Sequence, residues 1–245
     1  MTADAAARAR SFGRATTDYV TGRPGYPREA VAWLARDARR IADIGAGTGK
    51  LTAALVGGGR TVLAVDPDEA MLAALRTEVP GVETRPGTAE SLPLDDAGFD
   101  ALLFGQAWHW VDVPAASREA GRVLRPGGVL GLIWNIRDER IDWVARLGET
   151  MHGSDAERLI AAGGPTVGAP FGALEVRRFP WSRPMSPDEV VAMAASRSYV
   201  IALPDAERAR LLDAVRELLA THPDTAGRDT VQLPYVTYAY RALRP

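Results

Sequence analysis

Cysteine is absent from this chain of 245 residues, and histidine and lysine are scarce. Without cysteine there is no disulfide bond, no thiolate metal site and no thiol nucleophile. The three histidines, His109, His152 and His222, are widely separated in sequence, so we expect no bound metal. Lys50 is the single lysine, and we attribute the preference for arginine to coding bias rather than to function.

Long hydrophobic runs are also missing, since no apolar stretch approaches the roughly 18 residues that a membrane-spanning helix needs. The N-terminal segment up to Thr17 has no apolar centre, which argues against a secretory signal. A formal net charge of −2 gives no bulk attraction to nucleic acid. We therefore expect a cytoplasmic protein with neither nucleic acid nor membrane as a partner. For the oligomeric state, a monomer and a homodimer both stay open.

The most informative stretch is a glycine turn that follows a short apolar run. The run ends in Asp43, and Gly45, Gly47 and Gly49 alternate after it. A brief branched run bounded by glycine predicts a buried strand, and Leu51 onwards reads as the start of a helix. A strand, a glycine turn and a helix in this order are typical of a nucleotide-binding site. Glycine lets the backbone turn sharply and lets a ligand come close to it.

The spacing of these residues does not match two common nucleotide-binding motifs. A phosphate-binding P-loop would need glycine where Ile44 stands and a hydroxyl residue where Leu51 stands. The dinucleotide fingerprint accepts Gly45 and Gly47, but Lys50 takes the place of its third glycine.

A second predicted strand, 61–65, ends in Asp66. An acid at this position accepts hydrogen bonds from ribose hydroxyls in nucleoside-binding folds, including those of NAD enzymes. The alternative role is a cap for the following helix, although Asp68 is better placed for that.

The aspartate and its alternating glycines resemble the first motif of class I S-adenosylmethionine-dependent methyltransferases. Residues 87–94 resemble the adenine-binding loop of that family, with Thr88 where an acid is usual. Residues 106–110 resemble the Gln-Ala-x-His-Trp string of the trans-aconitate methyltransferase-like, type 11 subgroup. The Leu-Arg-Pro-Gly-Gly turn at 124–128 and the Arg-Pro-x-Tyr-Pro segment at 23–27 resemble the same group.

The predicted fold is α/β, since strand and helix signals alternate. The resemblance implies a Rossmann-like sheet of seven strands, mostly parallel with an antiparallel last strand, helices on both faces and a helical insert before the last strand. We predict a single domain over 1–245, with an N-terminal lid (1–27), a nucleotide-binding core (28–183), the insert (about 184–226) and the last strand (227–245). The lid segment could equally be an extended arm, and the insert either covers the substrate or only adds core.

The resemblance implies S-adenosyl-L-methionine as cofactor and assigns site residues in two groups. The expected cofactor contacts are Tyr19, Arg23, Asp43, Gly45, Ala46, Gly47, Asp66, Pro67, Met71, Thr88, Ala89, Glu90 and Gln106. The expected substrate contacts are Tyr26, Trp108, Trp110, Trp134, Arg197 and Tyr199. For Trp108 and Trp110 the alternative is core packing.

The expected activity is methyl transfer to a small molecule, with a carboxylate or hydroxyl oxygen favoured as acceptor. His109 is the candidate catalytic residue: it could act as a base towards a hydroxyl, whereas a carboxylate is already ionised at neutral pH. The alternatives are an NAD(P)-dependent oxidoreductase and an S-adenosylmethionine-binding protein without turnover.

Overall fold

The computed structural model describes residues 24–245, and one seven-stranded sheet runs through them. Its strands are β1 (Arg40–Ile44), β2 (Thr61–Asp66), β3 (Glu83–Pro86), β4 (Phe99–Gly105), β5 (Leu124–Arg137), β6 (Glu175–Met185) and β7 (Val231–Leu243). The α-helices are α1 (Arg28–Ala35), α2 (Lys50–Leu55), α3 (Glu69–Glu78), α4 (Val113–Val123), α5 (Asp142–Thr150), α6 (Asp155–Ala161), α7 (Pro187–Ala195), α8 (Ser198–Ile201) and α9 (Asp205–Thr221).

The strand order is β3-β2-β1-β4-β5-β7-β6. Strands β1 to β5 pair in parallel, and β7 is antiparallel to both of its neighbours. This confirms the predicted sheet with its antiparallel last strand. The strand order reverses between β1 and β4, and ligands of open α/β sheets bind beyond the carboxyl ends of the strands at such a point. The glycine turn follows β1 and the turn containing His109 follows β4, so both lie at this edge.

Apolar clusters cover both faces of the sheet. On one face α4 and α6 pack over β4 and β5, with Phe104, Trp108 and Trp134 among the buried side chains. On the other face α1 and α2 pack over the same sheet around Leu34 and Ile41. Burial on both faces explains why β1 and β4 read as continuous apolar runs rather than alternating ones.

The helices between β6 and β7 do not form an isolated appendage. Side chains of α7 and α9 share an apolar cluster with Trp143, Leu147 and Met151 of the α5 region and with Tyr235 of β7. The insert is therefore anchored on an element that precedes β6, beyond the carboxyl end of β5.

Two elements that the sequence predicts, a helix and the fifth strand, have different bounds in the structure. The helix predicted from Glu139 to about Met151 is the shorter α5, and α6 follows it as a separate helix. The break has a backbone cause, because His152 (φ 59°) and Gly153 (φ 61°) lie in the left-handed region, which a right-handed helix cannot continue through. The fifth strand, predicted over 129–134, extends over all of β5.

Within the described residues no helix is long and apolar enough to cross a membrane. In the same part of the chain, no group of His, Asp and Glu side chains is arranged to hold a metal ion.

Candidate active site

The glycine turn after β1 combines one tightly packed glycine with one that faces open space. Gly45 and Gly47 both have positive φ, of 68° and 54°. A Cβ on Gly45 would lie 2.6 Å from the Cβ of Ala107, so position 45 must be glycine for the loop after β4 to pack against the turn. A Cβ on Gly47 would meet nothing within 4 Å. The turn therefore leaves room above Gly47, as a ligand cradle requires.

Asp66 links this turn to the end of β2. Its carboxylate is only 8% exposed and accepts the backbone N–H of Gly47 and of Asp68, each at 2.9 Å. The cap of α3 is Asp68, whose side chain accepts the N–H of Ala70 at 2.8 Å. Two of about four acceptor positions on the Asp66 carboxylate are thus used, and the remaining ones could take ribose hydroxyls. Burial raises the pKa of Asp66.

Asp43 lies beneath the turn and is completely buried. One carboxylate oxygen accepts the Thr52 hydroxyl at 2.6 Å, while the other has no hydrogen-bond partner among residues 24–245. Burial, with a smaller contribution from the charge of Asp66, raises the pKa of Asp43 to about 7. An orphaned buried carboxylate oxygen is costly, so this atom is a natural point of contact for a cationic or hydrogen-bonding part of a ligand.

The predicted adenine loop lies beside β2, where the Gly87 N–H donates to the Asp66 carbonyl. Ala89 is 7% exposed and packs in the core, so only its backbone can serve a ligand. The Glu90 carboxylate accepts the Asp112 N–H at 2.9 Å and ties the loop to the start of α4. Met71 is buried in α3.

The chain after β4 turns sharply at Gln106, a non-glycine residue with φ 57°. Its backbone N–H donates to the Ile133 carbonyl, and its side-chain amide lies 3.4 Å from the Asn135 carbonyl oxygen. A left-handed conformation at glutamine costs free energy and is concentrated at functional sites in proteins. It sends the following residues, 108–110, into a short 3₁₀ turn.

The two tryptophans of this turn have different surroundings. The sequence predicts that both line the acceptor side, but Trp108 is 2% exposed, and its indole N–H donates to the Thr166 carbonyl at 2.9 Å. Its ring meets Phe104 edge-on with centroids 4.8 Å apart, which is core packing. Trp110 is half-buried beside the His109 ring. Trp110 thus stays a candidate contact, and Trp108 acts as a support.

His109 accepts a hydrogen bond from Trp134. The Trp134 indole nitrogen lies 3.3 Å from Nδ1 of His109. An indole N–H can only donate, so Nδ1 must be the unprotonated nitrogen and the ring proton of neutral His109 belongs on Nε2. Trp134 itself is fully buried, which makes it a positioning residue for His109 rather than the predicted substrate contact.

A buried polar network connects the N-terminal side of the site to β5, β7 and β6. The Asn135 amide donates to the Gly25 carbonyl at 2.9 Å, and its oxygen accepts the Thr237 hydroxyl at 2.7 Å. Trp181 donates in turn to the Thr237 oxygen at 2.8 Å. Tyr26, beside Gly25, lies over the end of β4, since its hydroxyl is 2.9 Å from where a Cβ of Gly105 would be. Neither Asn135 nor Thr237 is among the residues predicted from sequence.

Arg197 and Tyr199 of the insert are half-buried and lie near Arg137 and Glu157, two charged residues that the sequence does not single out. Both predicted substrate contacts, Arg197 and Tyr199, thus lie on the side of the insert that faces the carboxyl end of β5. Tyr19 and Arg23 lie outside the described residues.

The strand order, the open glycine turn and the acid after the second strand define a Rossmann-like nucleoside-binding protein. Comparison with known proteins narrows this class. Residues 42–132 match the family described as a methyltransferase domain. The methyltransferase Rv3342 of Mycobacterium tuberculosis, itself uncharacterised, is 48% identical over 233 residues, 95% of each chain.

Two further comparisons agree. A malonyl-[acyl-carrier protein] O-methyltransferase of Erwinia pyrifoliae is 35% identical over 134 residues, 52% of this chain and 51% of its own. The solved structure of an Anaeromyxobacter dehalogenans protein, described provisionally as a type II methyltransferase, is 28% identical with a TM-score of 0.70, covering 90% of this chain and 97% of that one. The chain belongs to the class I S-adenosylmethionine-dependent methyltransferases. This excludes the alternative of an NAD(P)-dependent oxidoreductase.

Proposed function

We propose that the enzyme methylates a carboxylate oxygen of a small-molecule acid. The cofactor supplies a methyl group already activated by a sulfonium centre, so the protein has mainly to orient an in-line displacement. The residues at the switch point fit the cofactor. Asp66 retains acceptor positions that could bind the ribose, and the space above Gly47 suits the methionine portion. The backbone of Ala89 is the proposed adenine contact.

The observation that favours a carboxylate over a hydroxyl is the hydrogen bond from Trp134 to His109. A general base needs an unprotonated nitrogen directed at the acceptor, and the bond to Trp134 occupies the Nδ1 lone pair of His109. With its proton on Nε2, neutral His109 is a donor on the other side of the ring. It can orient an acceptor oxygen but not deprotonate it. A carboxylate needs no deprotonation at neutral pH.

His109 then acts as a positioning donor after β4, with Trp110 beside its ring and Tyr26 over Gly105 at the end of the strand. The relative named for methylating the oxygen of a malonyl group supports oxygen as the methylated atom. The arrangement of the insert over the carboxyl end of β5 supports a pocket that shields the reaction from water.

The pH dependence of turnover tests this proposal. Purified enzyme is given S-adenosylmethionine and two panels of acceptors, small acids and small phenols or alcohols, and S-adenosylhomocysteine release is measured between about pH 6.5 and 9. We expect turnover on an acid, with kcat almost independent of pH over this range because no proton is transferred. Turnover confined to hydroxyl compounds, with kcat rising about tenfold per pH unit on the acidic side, would contradict the proposal.

The variant His109→Gln provides the second arm. Glutamine keeps a hydrogen-bond donor near the same place but cannot act as a base. On an acid we expect mainly a raised KM, with kcat reduced by less than about tenfold, whereas loss of a general base would cost about 10²–10⁴-fold in kcat. The affinity for S-adenosylhomocysteine, measured by calorimetry, should be unchanged.

A further inference from the structure

A group of charged and hydroxyl side chains lies beyond the carboxyl end of β5, between the sheet and the insert. Arg137, near the end of β5, is 3% exposed and stands opposite Tyr235 of β7 in the strand register. One guanidinium nitrogen pairs with Glu157 at 2.8 Å. A second lies 3.3 Å from the sulfur of Met151, a weak acceptor, and the third, Nε, has no partner in the part of the chain that the structure describes.

A second arginine of this group, Arg197, contacts a sulfur atom rather than a carboxylate. The Arg197 guanidinium lies 3.6 Å from the sulfur of Met193, and among the described residues no carboxylate lies within ion-pair distance of it. The Tyr235 side chain is 2% exposed, and its hydroxyl has no hydrogen-bond partner within residues 24–245. Buried donors without acceptors are expensive to keep, so this arrangement is incomplete as it stands.

The electrostatics indicate that these groups share one locality. Burial lowers the pKa of Arg137, and the positive charge of Arg197 lowers it further. Burial alone would raise the pKa of Glu157, but the charges of Arg137 and Arg197, together with the hydrogen bonds to Ser154, outweigh it and hold that pKa low. Burial raises the pKa of Tyr199, which lies within reach of both arginines. Glu139 is the other nearby acid, and burial and the charge of Glu157 raise its pKa.

We propose that Arg137 and Arg197, with the hydroxyls of Tyr199 and Tyr235, form a subsite that binds a carboxylate of the acceptor. A guanidinium fork matches a carboxylate in two parallel hydrogen bonds, and the orphaned donors of Arg137 and Tyr235 would gain the acceptor they lack. The inference rests on the proposed methyl transfer to a small acid and adds how that acid is held.

The charge balance favours a monoanionic group. Two arginines face Glu157 and Glu139, so a doubly charged phosphate would meet two carboxylates as well as two guanidinium groups. The held carboxylate also differs from the methylated oxygen. An arginine pair stabilises the ionised ground state and withdraws electron density from it, which opposes its reaction as a nucleophile. The acceptor therefore carries an anchoring carboxylate and a separate oxygen that receives the methyl group.

Calorimetry and kinetics on the intact enzyme test the subsite. The probes are succinate and glutarate, their monoamides, and inorganic phosphate, each added to protein saturated with S-adenosylhomocysteine. The main variant is Arg197→Gln, and the matched control is Arg216→Gln, an exposed arginine of α9 paired with Asp213 on the same insert. We expect the diacid to bind wild type and the control equally and Arg197→Gln about 10- to 100-fold more weakly, as for loss of a charged hydrogen-bond pair.

Tyr235→Phe keeps the test decisive if an arginine variant folds poorly. The deleted hydroxyl has no partner in the free protein, so the melting temperature should be unchanged or higher, while diacid binding weakens. Equal diacid affinity in wild type, Arg197→Gln and Tyr235→Phe would overturn the inference, as would tighter binding of phosphate than of any diacid. Failure of S-adenosylhomocysteine to bind wild type would instead refute the proposed function, because that step does not involve these arginines.

Discussion

Lowering the pH should weaken cofactor binding through Asp43. This carboxyl is completely buried beneath the glycine turn, and burial raises its pKa to about 7. S-adenosylmethionine carries an ammonium and a sulfonium, and the partnerless Asp43 oxygen suits such a cation only when the acid is ionised. If binding requires the ionised form, the apparent Kd rises as that form is depleted.

The magnitude follows from the fraction ionised. With a pKa of about 7, roughly one molecule in eleven is ionised at pH 6 and about ten in eleven at pH 8, so the cofactor should bind about tenfold more weakly at pH 6. Asp66, whose pKa is also raised by burial, would add to the effect in the same direction. Titration calorimetry in two buffers of different ionisation enthalpy measures both the Kd and the protons released on binding.

The free protein should show the opposite trend in stability. The pKa of Asp43 is higher in the folded than in the unfolded chain, so its contribution to the free energy of unfolding is complete below pH 3.8 and is lost by about pH 7, at about 1.4 kcal/mol per pH unit. In Asp43→Asn, which can still accept the Thr52 hydroxyl, both trends should shrink. A cofactor Kd that is the same at pH 6 and pH 8 in wild type would refute this reasoning.

Three further predictions concern the turns around the site. In Gly47→Ala the added Cβ enters the open space, so the affinity for S-adenosylhomocysteine, measured by calorimetry, should fall at least about tenfold. Alanine is also strained at this positive φ, so the free energy of unfolding, measured in urea, should fall by about 1–2 kcal/mol. Asp66→Ala should weaken the binding of S-adenosylhomocysteine by about 1.5–3 kcal/mol. The control Asp68→Ala should lower the free energy of unfolding by about 1 kcal/mol and leave the affinity unchanged. Equal affinities in the two variants would show that Asp66 does not bind the ribose. Trp134→Phe releases the His109 lone pair, so it should raise KM for the acid without altering cofactor affinity; an unchanged KM would mean that the bond to His109 does not position the acceptor.

The local features of the nucleotide-binding half are predictable from sequence because each depends on residues that are close together in the chain. Alternating glycines after Asp43 specify a turn that only small residues can make, and Asp68 is a helix cap that the structure confirms. The order and direction of the strands follow from the resemblance to the family, and they are confirmed as well.

The remainder depends on contacts between distant parts of the chain. Asn135 and Thr237 are 102 positions apart and become partners only because β7 pairs antiparallel with β5. The burial of Trp108 follows from α4 and α6 packing over β4 and β5, which no local pattern reveals. Arg137 lies beyond the strand predicted from sequence, and the role that we propose for it depends on the insert that packs beyond β5. A polar residue such as Asn135 inside an apolar strand is the one signal that could have marked this region.

The chemical form of the product tests the central claim most directly. The enzyme is incubated with S-adenosylmethionine carrying a deuterated methyl group and with the acid found to be the best acceptor, and the product is examined by mass spectrometry before and after mild alkaline hydrolysis. The account predicts a labelled product that loses its label on hydrolysis and returns the original acid, as a carboxylate methyl ester must. A label that survives hydrolysis, as in an ether or a methylated amine, would contradict it.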